Sequence, residues 1–218
     1  MAENNIHIRI YKKLYAFYGP QRWWPAKTRL EIIVGAILTQ NTAWNNVETA
    51  VKNLKKQRVL SINGLRKLNC TQLAKWIRSS GYYNIKAKRI KNFLTFLSES
   101  YQGSLDKMFR EDFSVLRENL LSVNGLGPET VDSILLYAGD YPVFVVDAYT
   151  KRIFLRHNLI GPTDNYEAIQ AEFMSRLEKD AQLFNEYHAL IVQLGKSLCR
   201  KKPKCSECPL KDIELNKK

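Results

Sequence analysis

The chain of 218 residues is long enough for one large domain or two small ones, each with its own core. Its 34 lysines and arginines against 21 aspartates and glutamates leave a formal charge of +13, which points to a polyanionic partner, nucleic acid before an anionic membrane surface. No apolar run approaches the ~20 residues that cross a bilayer, and the N-terminus lacks the apolar core of a secretory signal, so a soluble cytosolic protein is expected.

Helical periodicity then runs along the chain. Tyr11, Leu14, Tyr15 and Tyr18 fall at i, i+3, i+4, i+7, as do Ile90, Phe93, Leu94 and Leu97, and again Val131, Ile134, Leu135 and Ala138. Breakers separate such segments at Gly19-Pro20, Gly81, Gly103-Ser104, Asn124-Gly125 and Gly161-Pro162. Asp164 followed by Glu167 reads as a capping box opening a late helix. Val143–Val146 alone reads as a short strand, too isolated to build a sheet. The fold class expected is all-α, with about ten helices.

The most informative stretch is Leu120 to Thr130, LLSVNGLGPET. An apolar helix runs to Val123, a tight turn carries Gly125 and Gly127 around Leu126, and Pro128 is suited to open the next helix. Glycines let the main chain approach a ligand closely, and amides at a helix N-terminus suit an anion such as a DNA phosphate. Leu126 would anchor the turn in the core. An ordinary helix–helix turn is the competing reading. Downstream, the apolar run Val143–Val146 closes on Asp147, just before another helical segment, where the dipole favours a carboxylate. A plain N-cap is the alternative there.

Together the hairpin, the Gly/Pro-rich loop and the closing aspartate resemble the helix-hairpin-helix–GPD superfamily of base-excision glycosylases, the endonuclease III group. IVGAILTQNT at Ile33–Thr42 is similar to that family's early helix and following loop, and Gly81–Lys88, GYYNIKAK, to its mid-chain segment. The resemblance implies an endonuclease III-like fold of two helical lobes. By that resemblance residues 23–138 would form a six-helix barrel with the helix-hairpin-helix at about 113–138, and residues 1–22 and 139–218 the second lobe. It also implies a cleft between the lobes and a monomer acting on double-stranded DNA that contains a damaged base.

Glu129 stands where bifunctional members carry the lysine that forms a Schiff base, and a carboxylate cannot form an imine. The resemblance therefore implies a monofunctional glycosylase in which Asp147 assists water attack on C1′, as base or as electrostatic stabiliser. Trp23 and Trp24 before the first core helix and Trp44 after the loop suit a flipped, electron-poor base, a pattern similar to the 3-methyladenine DNA glycosylase III branch. At least one of the three is expected in the core. Gln40 matches the family's plug that fills the gap left by the flipped base. Lys86, with Lys88, Arg89 and Lys91, is a candidate to face DNA, against the reading of a solvated helix face. Competing functions are uracil or thymine-mismatch excision, a bifunctional enzyme for oxidised pyrimidines, and a damage-binding protein without catalysis.

The tail around Cys199 to Pro209 resembles the family's iron–sulfur loop, C-x6-C-x2-C-x5-C, which holds a [4Fe–4S] cluster. Here Cys199, Cys205 and Cys208 keep three thiols with a first gap one residue short, and Glu214 takes the fourth position. A zinc site and a metal-free remnant are the alternatives, and the excision chemistry requires none of them. Lys201-Lys202-Pro203-Lys204 would still offer cations to phosphates, and Cys70 reads as a buried thiol.

Overall fold

A computed structural model describes residues 5–213, and within them the chain is all-α. Twelve α-helices and two single 3-10 turns are present, with no strand among the described residues. They are α1 (Ile6–Tyr18), α2 (Arg29–Thr39), α3 (Trp44–Lys56), α4 (Ile62–Lys67), α5 (Cys70–Trp76), α6 (Tyr83–Tyr101), α7 (Leu105–Met108), α8 (Phe113–Ser122), α9 (Pro128–Gly139), α10 (Ala148–Arg156), α11 (Tyr166–Arg176) and α12 (Ala181–Ser197). The count exceeds the expected ten because α4 and α7 are one or two turns long, too short for a periodic stripe. No helix is long and apolar enough to cross a membrane among the described residues.

The chain divides into two compact units, one spanning Ala26–Tyr141 and the other joining the chain up to Pro25 to the chain from Pro142. In the first unit, α2 and α9 form the centre. Thr28 caps α2 by accepting from the Glu31 amide at 3.2 Å, and every residue from Ile33 to Leu38 is buried. Helix α9 opens on Pro128 and is buried from Thr130 to Ala138. A helix apolar on all sides belongs inside, and the polar residues of α9 need partners there. Asp132, with its side chain wholly inaccessible, accepts from the Arg117 guanidinium of α8 through both oxygens, at 2.7 and 3.0 Å. That fork ties α8 to α9. Around them the long helix α6 turns its stripe Ile90, Phe93, Leu94 and Leu97 inward.

In the second unit, α1, α10, α11 and α12 pack around an aromatic core. The buried face of α1 is His7, Ile10 and Leu14, and the tyrosine stripe flanks it; Tyr15 is 41% exposed. Tyrosine suits that border because its ring can be covered while its hydroxyl stays wet. Residues Val143–Val146 are buried but form no strand among the described residues. Side chains of the α11 region serve their backbone instead: Gln170 donates to the Phe144 carbonyl at 2.7 Å, and the Val146 amide donates to the Tyr166 hydroxyl at 3.4 Å. Phe144 stacks on Phe173 at 3.9 Å, so the apolar run is a core segment without a sheet. Helix α11 is capped by Asn165, which accepts from the Ala168 amide, and not by Asp164. Asp164 closes the preceding turn, accepting from the Gly161 amide at 2.7 Å.

Candidate functional site

The hairpin between α8 and α9 occupies residues 123–127. Val123 and Leu126 are 6% and 5% exposed, and the Leu126 amide donates to the Val123 carbonyl at 3.0 Å, so the turn is anchored from within. Gly125 alone of the two glycines takes a left-handed backbone, φ +95°. Gly127 is the extended N-cap of α9 at φ −93°; it is exposed, and a Cβ there would meet nothing within 4 Å. Neither conformation nor crowding inside the chain demands a glycine at 127, which leaves its face open to an approaching ligand. Glu129 lies in the first turn of α9 and is exposed.

Three side chains brace this turn. Gln40, which follows α2, donates to the Gly125 carbonyl at 3.2 Å and to the Thr130 hydroxyl at 2.8 Å. Its own carbonyl accepts from the Arg89 guanidinium, and the Arg89 stem lies where a Cβ of residue 125 would fall. Asn92, one turn along α6, donates to the Asn124 carbonyl at 2.9 Å. Gln40 is therefore half-buried and held on the hairpin.

Lys86 corrects the expectation of a DNA-facing lysine. Its side chain is buried, with 1% exposure for the residue, and its ammonium donates to the Leu38 and Ser80 carbonyls at 2.9 and 2.6 Å. Burial and the nearby Arg89 charge pull it down to about 8. The lysine fastens the end of α2, immediately before Gln40, and leaves Lys88 as the exposed cation of that turn. Trp44 is the first residue of α3 and half-buried.

In the other unit Asp147 caps α10. Its Oδ1 accepts from the Thr150 amide at 2.7 Å and from the Thr150 hydroxyl at 2.9 Å, so the N-cap reading holds for one oxygen. The second oxygen lies 3.7 Å from Nε2 of His188 on α12. Burial holds His188 below the ordinary value of 6.5; the Asp147 charge opposes this and the Lys196 charge adds to it. Lys196, two turns further along α12, is itself lowered by burial, with Asp147 opposing. Its ammonium lies 5.3 Å from the Trp23 ring centroid, a cation–π contact. Trp23 and Trp24 meet edge to face at 5.6 Å. All three candidate pocket tryptophans are half-buried, so none serves as core, contrary to expectation.

The packing of α10 on α12 sets the Asp147–His188 geometry. The Tyr149 ring lies against Gly195 so closely that a Cβ would stand 2.8 Å from Cγ of the ring. Arg152 donates to the carbonyls of Gly195 and Cys199 at 3.0 and 2.9 Å and covers the Tyr149 ring at 5.0 Å. His188 and Lys196 escaped sequence reading. They lie about 60 to 70 positions along the sequence from the hairpin motif, and only their shared side of α12, about two turns apart, could have paired them.

The three tail cysteines are neighbours: burial pushes the Cys208 thiol up, and Cys199 and Cys205 add to this. Cys199 is buried and its sulfur accepts from Arg156 at 3.2 Å; Cys205 is exposed and Cys208 half-buried. No group of three or more metal-binding side chains forms among the described residues, and Glu214, the fourth position, lies outside them. Three thiols without a fourth ligand among the described residues fall short of the four-ligand cluster of the family, and no step is derived through one. Cys70, expected to be buried, is exposed, as the first residue of the short helix α5.

The family model of the HhH-GPD superfamily base excision DNA repair protein matches residues 34–179, a span that contains the hairpin, Glu129 and Asp147. The chain belongs to this superfamily and is a DNA glycosylase of the base-excision type. Among individual proteins, it is 48% identical over 221 residues to a Methanocaldococcus jannaschii protein provisionally named a DNA repair glycosylase, with both chains covered in full. The H. pylori 3-methyladenine DNA glycosylase MagIII, solved with 1,N6-ethenoadenine bound, superposes with a TM-score of 0.77 at 30% identity, covering 87% of this chain and 97% of that one. An endonuclease III trapped as a covalent intermediate with DNA shares the fold, with a TM-score of 0.81 at 20% identity over 95% of this chain and 93% of that one.

Proposed function

We propose that the protein binds duplex DNA and hydrolyses the N-glycosidic bond of an alkylated base without cleaving the strand. The observation that carries this reading is Asp147, with one oxygen held by Thr150 and the other beside His188; Glu129, at the start of α9, supplies no amine that could form an imine. Glycosidic cleavage builds positive charge on the sugar, and a carboxylate at that point lowers the barrier directly. Thr150 holds one oxygen of Asp147 in a fixed setting, which leaves the other to meet the sugar or to orient water. The ligand in the MagIII structure is an alkylation-type purine adduct, and Trp23, Trp24 and Trp44 offer flat faces suited to a base of that kind. Gly125, Leu126 and Gly127 serve as the phosphate clamp, with Gln40 in contact with it.

Base release from duplexes carrying 3-methyladenine, 1,N6-ethenoadenine, uracil, thymine glycol or a G·T mismatch, with and without alkali, tests the reading. Breaks that appear only after alkali, on an alkylated-base duplex, are the expected result. Strand cleavage without alkali, trapped by borohydride, assigns lyase chemistry to another amine and overturns the monofunctional reading. A preference for uracil, thymine glycol or the mismatch overturns the substrate class.

A further inference from the structure

Gln40 sits at a position suited to enter a DNA duplex, yet its amide is already engaged at both ends inside the protein. The nitrogen serves Gly125 and Thr130, and the oxygen receives Arg89. Arg89 lies across Gly125 itself, and Asn92 holds the Asn124 carbonyl. We infer that Gln40, Arg89 and Asn92 are positioning residues of the hairpin, which together turn its carbonyls toward the protein and its leading amide toward a DNA phosphate. This rests on the reading of the hairpin as the phosphate clamp.

The geometry follows from the peptide unit. In a planar trans peptide the carbonyl and the N–H point in opposite directions. With the Asn124 carbonyl drawn to Asn92, the Gly125 amide of the same peptide faces away from α6. The Gly125 carbonyl is drawn to Gln40, and the Leu126 amide opposite closes the turn on Val123. With the Val123, Asn124 and Gly125 carbonyls engaged, the leading part of the turn directs its negative dipoles away from an incoming phosphate, and its amide needs little reorganisation on binding.

The test is binding to undamaged duplex, because a grip on phosphates does not depend on the lesion. Gly125→Ala checks the clamp: it should lose binding while still melting cooperatively, and parent-like binding by this variant overturns the clamp reading itself. With that loss established, Gln40→Ala and Arg89→Met should each raise Kd for undamaged duplex about 5- to 10-fold, the range set by a few lost hydrogen bonds. The double variant should be no weaker than the weaker single variant, because both act through one arrangement. Gln40→Ala should leave the slope of log Kd against log salt unchanged. Additive losses overturn the inference, as does a Gln40→Ala protein that binds undamaged duplex normally and loses only base release. A salt slope smaller by about 0.9 in Arg89→Met makes Arg89 a direct phosphate contact, which also overturns it. Should Arg89→Met fail to fold, the same cycle is run with Gln40→Ala and Asn92→Ala.

Discussion

The hairpin and the Asp147 corner are both small polar sites set on apolar helices, yet they are assembled in opposite ways. The hairpin is local: α8, five turn residues and α9 follow one another, and its own Val123 and Leu126 anchor it. The Asp147 corner gathers Trp23, Asp147, His188 and Lys196, which are scattered across most of the chain. A local site inherits its geometry from turn chemistry, whereas a scattered one depends on how two helices pack. The first kind announces itself as a motif; the second is sensitive to single atoms at the helix interface.

Four changes would break or sharpen this contrast, and the largest effect is expected at the scattered site. Asp147→Asn keeps the size and the capping oxygen but removes the charge. Single-turnover base release should fall on the order of 10²–10³-fold, while gel-shift affinity for the same duplex stays within about twofold. Unchanged release would remove Asp147 from the chemistry. Arg117→Ala takes the guanidinium from the inaccessible Asp132 and loosens the α8–α9 pair. A loss of about 3–5 kcal/mol in chemical denaturation is expected, because a buried carboxylate is left without that partner. A loss below about 1 kcal/mol would show that the hairpin does not depend on this fork.

Gly195→Ala drives a methyl group into the Tyr149 ring and should cost about 1–3 kcal/mol. Base release should fall at saturating DNA with little change in binding, since α10 carries Asp147 and the hairpin lies elsewhere in the chain. Equal loss of binding would blur the separation between the two sites. The smallest effect concerns acid stability. Burial holds His188 below the ordinary 6.5, so on acidification the unfolded chain takes up the proton first. Stability is then fully present above about pH 6.5 and declines as the pH falls toward the lower folded value. His7 and His157 are lowered in the same direction, so His188→Gln should flatten the decline only in part. Melting curves between pH 5 and 7 measure it, and an unaltered slope would mean that His188 does not enter the folded state neutral.

Much of this is legible in the sequence. The helical class, the turn at Gly125, the anchoring role of Leu126 and the helix opened by Pro128 follow from contiguous residues. The failures share a cause. Val143–Val146 carried a strand-like pattern, and nothing local reveals that Gln170 and Tyr166 satisfy its backbone in place of a neighbouring strand. Lys86 carried a charge that composition assigns to the surface, and only packing supplies the two carbonyls that keep it inside. Asp164 and Asn165 are both good caps one position apart, and the turn at Gly161 decided between them.

Hence the sequence alone determined the elements and the chemistry within reach of one turn: which segments are helices, where the chain reverses, and that Glu129 cannot do the work of a lysine. Tertiary structure decided what short-range pattern cannot encode. It set which donors reach the hairpin carbonyls, which residue of α12 faces Asp147, and which lysine is interior. The physical reason is range: capping, propensity and turn geometry act over about four residues, while burial and hydrogen-bond partnership depend on residues that only the folded chain brings together.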